Sequence, residues 1–189
     1  MAANGWLYSG KDAAGFVRGL CLFPEDVLAW VKATQPHAWD ALTKNHGAAA
    51  ADTLLNRLRH SIDQHGTLHV LRHGLDVLGL RKELKMAQFK PELAMNPDIM
   101  TRYAANRLRI VRQVRYSMHN ENNIDLVLFL NGIPVATVEL KTDFTQNIED
   151  AVNQYRFDRD PSRKGQSAEP LLSFPNGALV HFAVSNREV

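Results

Sequence analysis

A single cysteine, Cys21, stands among the 189 residues. It excludes an internal disulfide and any zinc site built from several cysteines, and it is typical of a protein in the reducing cytoplasm. No stretch is long and apolar enough to span a membrane, and the first residues do not have the basic and then apolar layout of a signal peptide. We therefore expect a globular, cytoplasmic chain that does not act at a membrane.

The chain also has little excess of one charge, because its 22 Lys and Arg residues nearly balance its 20 Asp and Glu residues and leave a net charge of +2. Such mild basicity permits contact with nucleic acid without requiring it. Hydrophobic residues make up 45% of the chain, which is enough for one compact domain with its own core. We expect a helical N-terminal part over residues 1–105 and a core that contains the sheet over residues 106–189.

Apolar residues recur at helical spacing in several segments of the N-terminal part. Pro24 suits the first turn of the first segment, and Gly66 suits the end of the third. The pattern predicts a helical annex ahead of the sheet. Its helices are expected at Pro24–Lys32, His37–Lys44, Ala48–Gln64, Thr67–Leu75 and Asn96–Ala105.

Two patterns in this part resemble ligand sites without meeting their requirements. The segment Gly5–Asp12 nearly matches a phosphate-binding loop, but no strand precedes it and Asp12 replaces the hydroxyl that such a loop needs. His65, His69 and His73 are spaced four apart, but a glycine lies between the first two and no acid or cysteine completes a metal set. We interpret the first as a turn-rich N-terminus, and the second as solvated or packed histidines.

The stretch from Ile124 to Lys141 reads IDLVLFLNGIPVATVELK and dominates the second half. Asn131-Gly132 between two runs of β-forming residues predicts a hairpin. Runs with almost no polar interruption are typical of strands covered on both faces in an α/β protein. We predict an α/β fold with a mixed sheet flanked by helices, including a last buried strand. The strands are expected at Arg107–Tyr116, Asp125–Leu130, Val135–Lys141 and Ala178–Val184.

Three charged residues border this apolar hairpin: Asp125 enters it, and Glu139 and Lys141 leave it. Glu139 and Lys141 share one face because they are two residues apart. A loop of Asn131-Gly132 alone would pair Asp125 with Val138 and turn it to the other face. A three-residue loop through Ile133, or an equivalent bulge, would pair Asp125 with Glu139 instead. We predict the second register, which brings two carboxylates and one ammonium together as a magnesium site.

The pattern Asp125 with Glu139-Leu140-Lys141 across a hairpin resembles the PD-(D/E)xK nuclease signature. The surrounding words resemble the N-terminal domain of the restriction (R) subunit of type I restriction enzymes, and the similarity runs through nearly the whole chain. Those words are NNIDLVLFLNGIPVATVELK, EDAVNQYRFDRDP, LCLFPEDVLAWVKATQPHAW, GTLHVLRHGL and NGALVHFAV.

This resemblance implies a restriction-endonuclease-like fold that hydrolyses phosphodiester bonds of duplex DNA with Mg²⁺. Asp125, Glu139 and the backbone carbonyl of Leu140 would hold the metal, and Lys141 would position the attacking water. Gln154 matches the glutamine of a Q-x-x-x-Y motif in related nucleases, within a predicted helix over Gln146–Arg156. The tyrosine position four residues later is occupied by Asp158.

The resemblance also implies partners and a cellular setting. Arg156 and Arg159 are candidate contacts to DNA phosphates. Modification and specificity subunits would complete the complex in the bacterial cytoplasm, and ATP would serve a helicase motor whose motifs this chain does not contain. Family members carry an acidic residue on a helix before the segment that matches Asn4-Gly5-Trp6, and we expect this chain to begin after that helix. The alternative is a nuclease-dead DNA-binding or subunit-docking module of the same fold.

Overall fold

Five strands form one mixed sheet in the computed structural model, which describes residues 5–93, 95–141, 148–158 and 167–185. Their order in the sheet follows the chain. The three central strands pair antiparallel, whereas each outer strand runs parallel to its neighbour. This arrangement confirms the predicted α/β class. The strands are β1 (Trp6–Leu7), β2 (Leu108–Arg115), β3 (Asn123–Leu130), β4 (Ile133–Leu140) and β5 (Val180–Val184).

Helices precede the central strands and follow β4, and the bounds of those in the annex differ from the predicted ones by a few residues at most. Proline occupies the first turn of α1, α2 and α5, where its missing N–H has no intrahelical partner to lose. No helix in the described ranges has the length and hydropathy to cross a bilayer. The helices are α1 (Pro24–Thr34), α2 (Pro36–His46), α3 (Ala50–His65), α4 (Thr67–His73), α5 (Pro97–Ala104) and α6 (Ile148–Asn153).

Buried apolar side chains pack in two clusters. One joins α1, α3 and α4 to the tip of the central hairpin through Ile133. The other covers one face of the sheet and includes Val111, Val127 and Phe129. The annex therefore holds the turn of the hairpin and leaves its opposite end, where Asp125 lies, away from the helical core.

The hairpin turn contains two residues, Asn131 and Gly132, and both have positive φ, as a type I′ turn requires. The predicted three-residue loop is therefore wrong, but the equivalent bulge is confirmed. Phe129 pairs with Pro134, whereas Leu128 pairs with Ala136, so that Val135 is the extra residue of β4. The shift restores the register that the sequence analysis required, with Leu126 opposite Val138.

Strand β2 changes its buried face part-way along. Regular alternation would place Leu108, Ile110, Val114 and Tyr116 on one apolar face. The apolar residues that are buried are Val111, Val114 and Tyr116, and Arg109 is buried as well. The cause is Gln113, whose φ of +51° breaks the alternation of side chains. The position of Arg112 on the apolar face of a regular strand suggested either an acid partner or a bulge there; the structure has instead a distortion at Gln113 without an inserted residue.

The other corrections concern the edges of the sheet. The N-terminus was interpreted as turn-rich and was not among the predicted strands, but Trp6 and Leu7 pair with β2. The last strand was expected to be buried, but Val180 and Phe182 are exposed, and within the described residues β5 is an edge strand that pairs with β4 alone. Both strands lie at the edges of the sheet. Whether a strand is central or at an edge depends on its neighbours more than on its own residues, so its sequence alone did not show it.

Candidate active site

Asp125 and Glu139 lie on neighbouring strands at the open end of the hairpin. The β3–β4 ladder pairs Leu126 with Val138, and continuing this register by one residue sets Asp125 opposite Glu139. Directly opposite residues of antiparallel strands have Cβ atoms about 4.5–5.5 Å apart. Lys141 follows two residues after Glu139, and its N–H donates to the Val184 carbonyl at 2.8 Å, which continues the β4–β5 ladder. The fold thus brings the three predicted charged residues to one end of the sheet.

Burial makes this group of charges unusual. Glu139 is 3% exposed and Lys141 is 9% exposed, while Asp125 is half-buried. Removing a carboxylate or an ammonium from water is costly unless opposite charges or hydrogen bonds compensate it. Structures keep such groups buried mainly in ion-pair networks and functional sites. The burial therefore supports the choice of these residues as site candidates.

Both carboxylate oxygens of Asp125 accept hydrogen bonds. The backbone N–H of Leu140 donates to Oδ2 at 2.8 Å, and the side-chain amide of Gln113 donates to Oδ1 at 2.9 Å. Arg112 is a further neighbour: the Tyr8 hydroxyl, 3.5 Å away, and the charge of Asp125 both raise the pKa of its guanidinium. The orientation of Asp125 is thus fixed by the protein itself. Sequence reasoning missed Gln113, because nothing in the pattern of the predicted strand Arg107–Tyr116 set it apart from the other polar residues.

The backbone of Leu140 faces the same carboxylate. In a strand, the N–H and C=O of one residue point to the same side. Since the N–H of Leu140 points at Asp125, its carbonyl oxygen is also directed toward β3. Two carboxylates and a carbonyl are hard oxygen donors, and Mg²⁺ typically takes one or two carboxylates together with waters and phosphate oxygens. The donor set that the sequence predicted therefore fits Mg²⁺ in its chemistry.

The segment after α6 lies against the strand face that carries Glu139. The hydroxyl of Tyr155 is 2.8 Å from Thr137 Oγ1, and Thr137 precedes Glu139 by two residues on the same face of β4. His181 Nδ1 is 2.6 Å from the same Thr137 oxygen. Desolvation of this ring by its neighbours lowers its pKa, although the residue as a whole is exposed. We name Tyr155, Thr137 and His181 the tyrosine cluster.

Gln154 is next to this cluster, in the π-helical turn Gln154–Asp158. Its Oε1 is buried and accepts no hydrogen bond within the described part of the chain. The observed aromatic neighbour of Gln154 is Tyr155, which lies three positions before the tyrosine position of the expected motif. The structure thus places Gln154 on the helical turn that covers the site, and its role stays a prediction.

One family model matches residues 35–189, and its description is the type I restriction enzyme R protein N terminus. The match spans most of the chain. The chain belongs to this family. No curated protein and no solved structure matches the chain.

Within this R protein N terminus, the matched residues include every candidate site residue and strands β2 to β5. Helix α1 and strand β1 precede the match. The family that the sequence words indicated is therefore confirmed. It identifies the chain as a region of a restriction enzyme, and it does not itself assign a role to Asp125, Glu139 or Lys141.

The predicted DNA contacts of this R protein N terminus are only partly described. Arg156 is exposed on the turn that begins with Gln154. Arg159 lies outside the described residues. The roles of Arg156 and Arg159 as contacts to DNA phosphates therefore stay predictions.

The two other ligand-like patterns have structural explanations. The carboxylate of Asp12 accepts a hydrogen bond from Arg109 at 2.8 Å and another from the Ser9 N–H at 2.9 Å. His65, His69 and His73 stack on the surface, with centroids 5.1 and 4.6 Å apart. Over the described ranges, no group of three or more His, Cys, Asp or Glu side chains is arranged to hold a metal. The metal site considered above differs in kind, since it combines two carboxylates with a backbone oxygen.

Proposed function

We propose that this R protein N terminus is the nuclease domain of a type I restriction enzyme and hydrolyses phosphodiester bonds of duplex DNA with Mg²⁺. The observation that carries the proposal is the β3–β4 register. Its last pair at this end is Leu126 with Val138, so Asp125 and Glu139 are the next residues of the two strands, and Lys141 follows two residues after Glu139. The burial of Glu139 and Lys141 supports it, because a charged pair at the end of a strand would otherwise be solvated.

In this proposal Asp125, Glu139 and the Leu140 carbonyl hold the metal. When bound, the ion polarises the phosphate and lowers the pKa of a coordinated water. The Lys141 ammonium orients the attacking water and offsets negative charge that builds up on the phosphate. Because Lys141 and Glu139 are shielded from solvent, these interactions are stronger than they would be in bulk water. Gln154 offers a hydrogen bond to Lys141 or to DNA from the turn above β4.

The domain would act inside a larger assembly. We propose that modification and specificity subunits select the DNA, that a motor outside these residues uses ATP, and that Arg156 and Arg159 contact the phosphate backbone. These contacts would be independent of sequence, because phosphates carry no base information. The setting would be the cytoplasm of a bacterium.

Single substitutions in the assembled enzyme test the proposal. Asp125→Asn, Glu139→Gln and Lys141→Ala should each lower the rate of plasmid cleavage, because each removes a metal ligand or the group that handles the water. General acid–base contributions alone are worth about 10²–10⁴ in rate. Gln154→Ala should do less, since it removes a hydrogen bond and no charge.

ATP hydrolysis by the same variants should stay near that of the unsubstituted enzyme, and this separates loss of chemistry from loss of assembly. Glu149→Gln, at an exposed acid of α6, is the matched control and should cleave normally. Full cleavage by Lys141→Ala would show that the Glu-Leu-Lys triplet is structural. The docking-module alternative would then replace the nuclease.

A further inference from the structure

Gln113 has a backbone conformation that the β-strand around it does not explain. Its φ is +51°, in the left-handed region, although it lies inside β2. Asn131 has a similar φ, but it occupies a hairpin turn that requires one, and asparagine tolerates it. Glutamine has no such preference, so its conformation is strained. Strained residues persist where the surrounding structure holds them, and they concentrate at functional sites.

The distortion is confined to the pair that contains Asp125. Arg112 pairs with Leu126 and Val114 pairs with Ile124, so the register is the same on both sides. Gln113 and Asp125 are skipped by the ladder between those two pairs. No residue is inserted, and the anomaly is therefore not an ordinary bulge that corrects a register.

The consequence of the distortion is a fixed carboxylate. The Gln113 amide donates to Oδ1 of Asp125 at 2.9 Å, and the Leu140 N–H donates to Oδ2 at 2.8 Å. Each carboxylate oxygen has two lone pairs, so one remains on each for a ligand. Hydrogen bonds of this kind orient metal-binding carboxylates and are nearly as important as the ligands themselves.

We propose that Gln113 is a positioning residue that holds the Asp125 carboxylate in its metal-binding orientation. Its left-handed backbone is strained, and this conformation is what directs the Gln113 amide to Asp125. The inference rests on the proposed function for the metal itself. It adds a residue with no direct contact to the ion, to DNA or to the reacting atoms. It also gives a function to the skipped pair in the β2–β3 ladder.

Gln113→Gly separates positioning from stability, because glycine adopts a positive φ freely and lacks the amide. Calorimetric titration of the 189-residue chain with Mn²⁺ should give an affinity about 10–100-fold weaker than that of the unsubstituted chain, the usual effect of losing a group that supports a ligand. The melting temperature without metal should not fall, since strain is relieved. Arg115→Gly, at an exposed position of the same strand, is the matched control and should lower the melting temperature while leaving Mn²⁺ affinity unchanged.

A second readout does not depend on metal. Hydrogen exchange of the Leu140 amide, measured by NMR without metal, should be faster in Gln113→Gly because Asp125 is then held at one oxygen only. Equal Mn²⁺ affinity of the glycine variant and the unsubstituted chain would overturn the positioning role, and so would unchanged exchange at Leu140. Mn²⁺ affinity that also survives Asp125→Asn would instead overturn the proposed metal site. A chain that binds no Mn²⁺ would overturn both.

Discussion

Asp26→Asn should destabilise the protein strongly, because Asp26 is the centre of a buried charge network. Its side chain is fully buried on the first turn of α1. It accepts hydrogen bonds from Arg107 Nε at 2.6 Å, from Arg109 Nε at 2.5 Å and from Arg109 Nη2 at 2.9 Å. Arg109 is itself buried, with its guanidinium 4.3 Å from the centroid of the Phe23 ring. The network fastens α1 to β2, the strand that carries Gln113.

The expected magnitude follows from what remains after the substitution. Asparagine keeps the volume of aspartate, so no cavity opens and the loss reports on charge and hydrogen bonding. Removing one partner of a buried ion pair costs about 3–5 kcal/mol. Asp12 still pairs with Arg109 at 2.8 Å, and Arg107 reaches solvent, which favours the lower end. We expect a loss of about 3 kcal/mol, equivalent to a fall in Tm of about 6–12 °C for a domain of this size.

Urea denaturation followed by circular dichroism measures this free energy of unfolding. The midpoint should fall while the slope with denaturant stays constant, because the surface exposed on unfolding does not change. Glu121→Gln is the matched control, since Glu121 pairs with Arg18 and Arg115 on the surface and should contribute less than about 1 kcal/mol. A loss below about 1 kcal/mol for Asp26→Asn would refute the assignment of this network as a main link between α1 and the sheet.

Two further variants test the turn and the tyrosine cluster. Gly132→Ala should lower the free energy of unfolding in urea by at least about 2 kcal/mol, because φ is +81° and the added Cβ would lie 2.4 Å from the Phe23 carbonyl oxygen. Gly10→Ala is the control and should be nearly neutral, since nothing lies within 4 Å of its added Cβ. The lowered pKa of His181 makes the folded state bind a proton less readily than the unfolded chain, so stability should be full above the ordinary pKa of 6.5 and decline as the pH falls below it. His181→Gln should flatten this decline in melting temperature while His60→Gln does not; equal profiles for all three proteins would contradict the assignment.

Local patterns were sufficient for the central hairpin. The Asn-Gly pair and two apolar runs located both strands, and the parity of the charged residues indicated that one residue had to be inserted. The position of that residue was not predicted, because a loop and a bulge satisfy parity equally well. Pro134 offered a signal, since it lacks the N–H that a regular ladder needs and prolines in sheets accompany edges and bulges. The ladder shifts at this residue.

Contacts between residues far apart in the chain could not be predicted from the sequence patterns. The sequence placed Asp26 only within the predicted helix Pro24–Lys32 and Arg109 only within the predicted strand Arg107–Tyr116, but the two residues meet inside the protein, 83 positions apart. The contact of Gln113 with Asp125 depends on a backbone conformation that glutamine alone does not favour. The edge position of β5 likewise depends on which strand lies beside it. The family, in contrast, could be predicted because short segments that resemble it are spread along the chain.

The most direct test of the central claim is an anomalous difference map from crystals of this chain soaked in Mn²⁺. The account predicts a peak next to the carboxylates of Asp125 and Glu139, at metal–oxygen distances close to those that Mg²⁺ prefers, about 2.0–2.1 Å. It predicts no such peak in crystals of Asp125→Asn. Carboxylates that point to opposite faces of the hairpin, or a map without a peak between them, would contradict the proposed nuclease site.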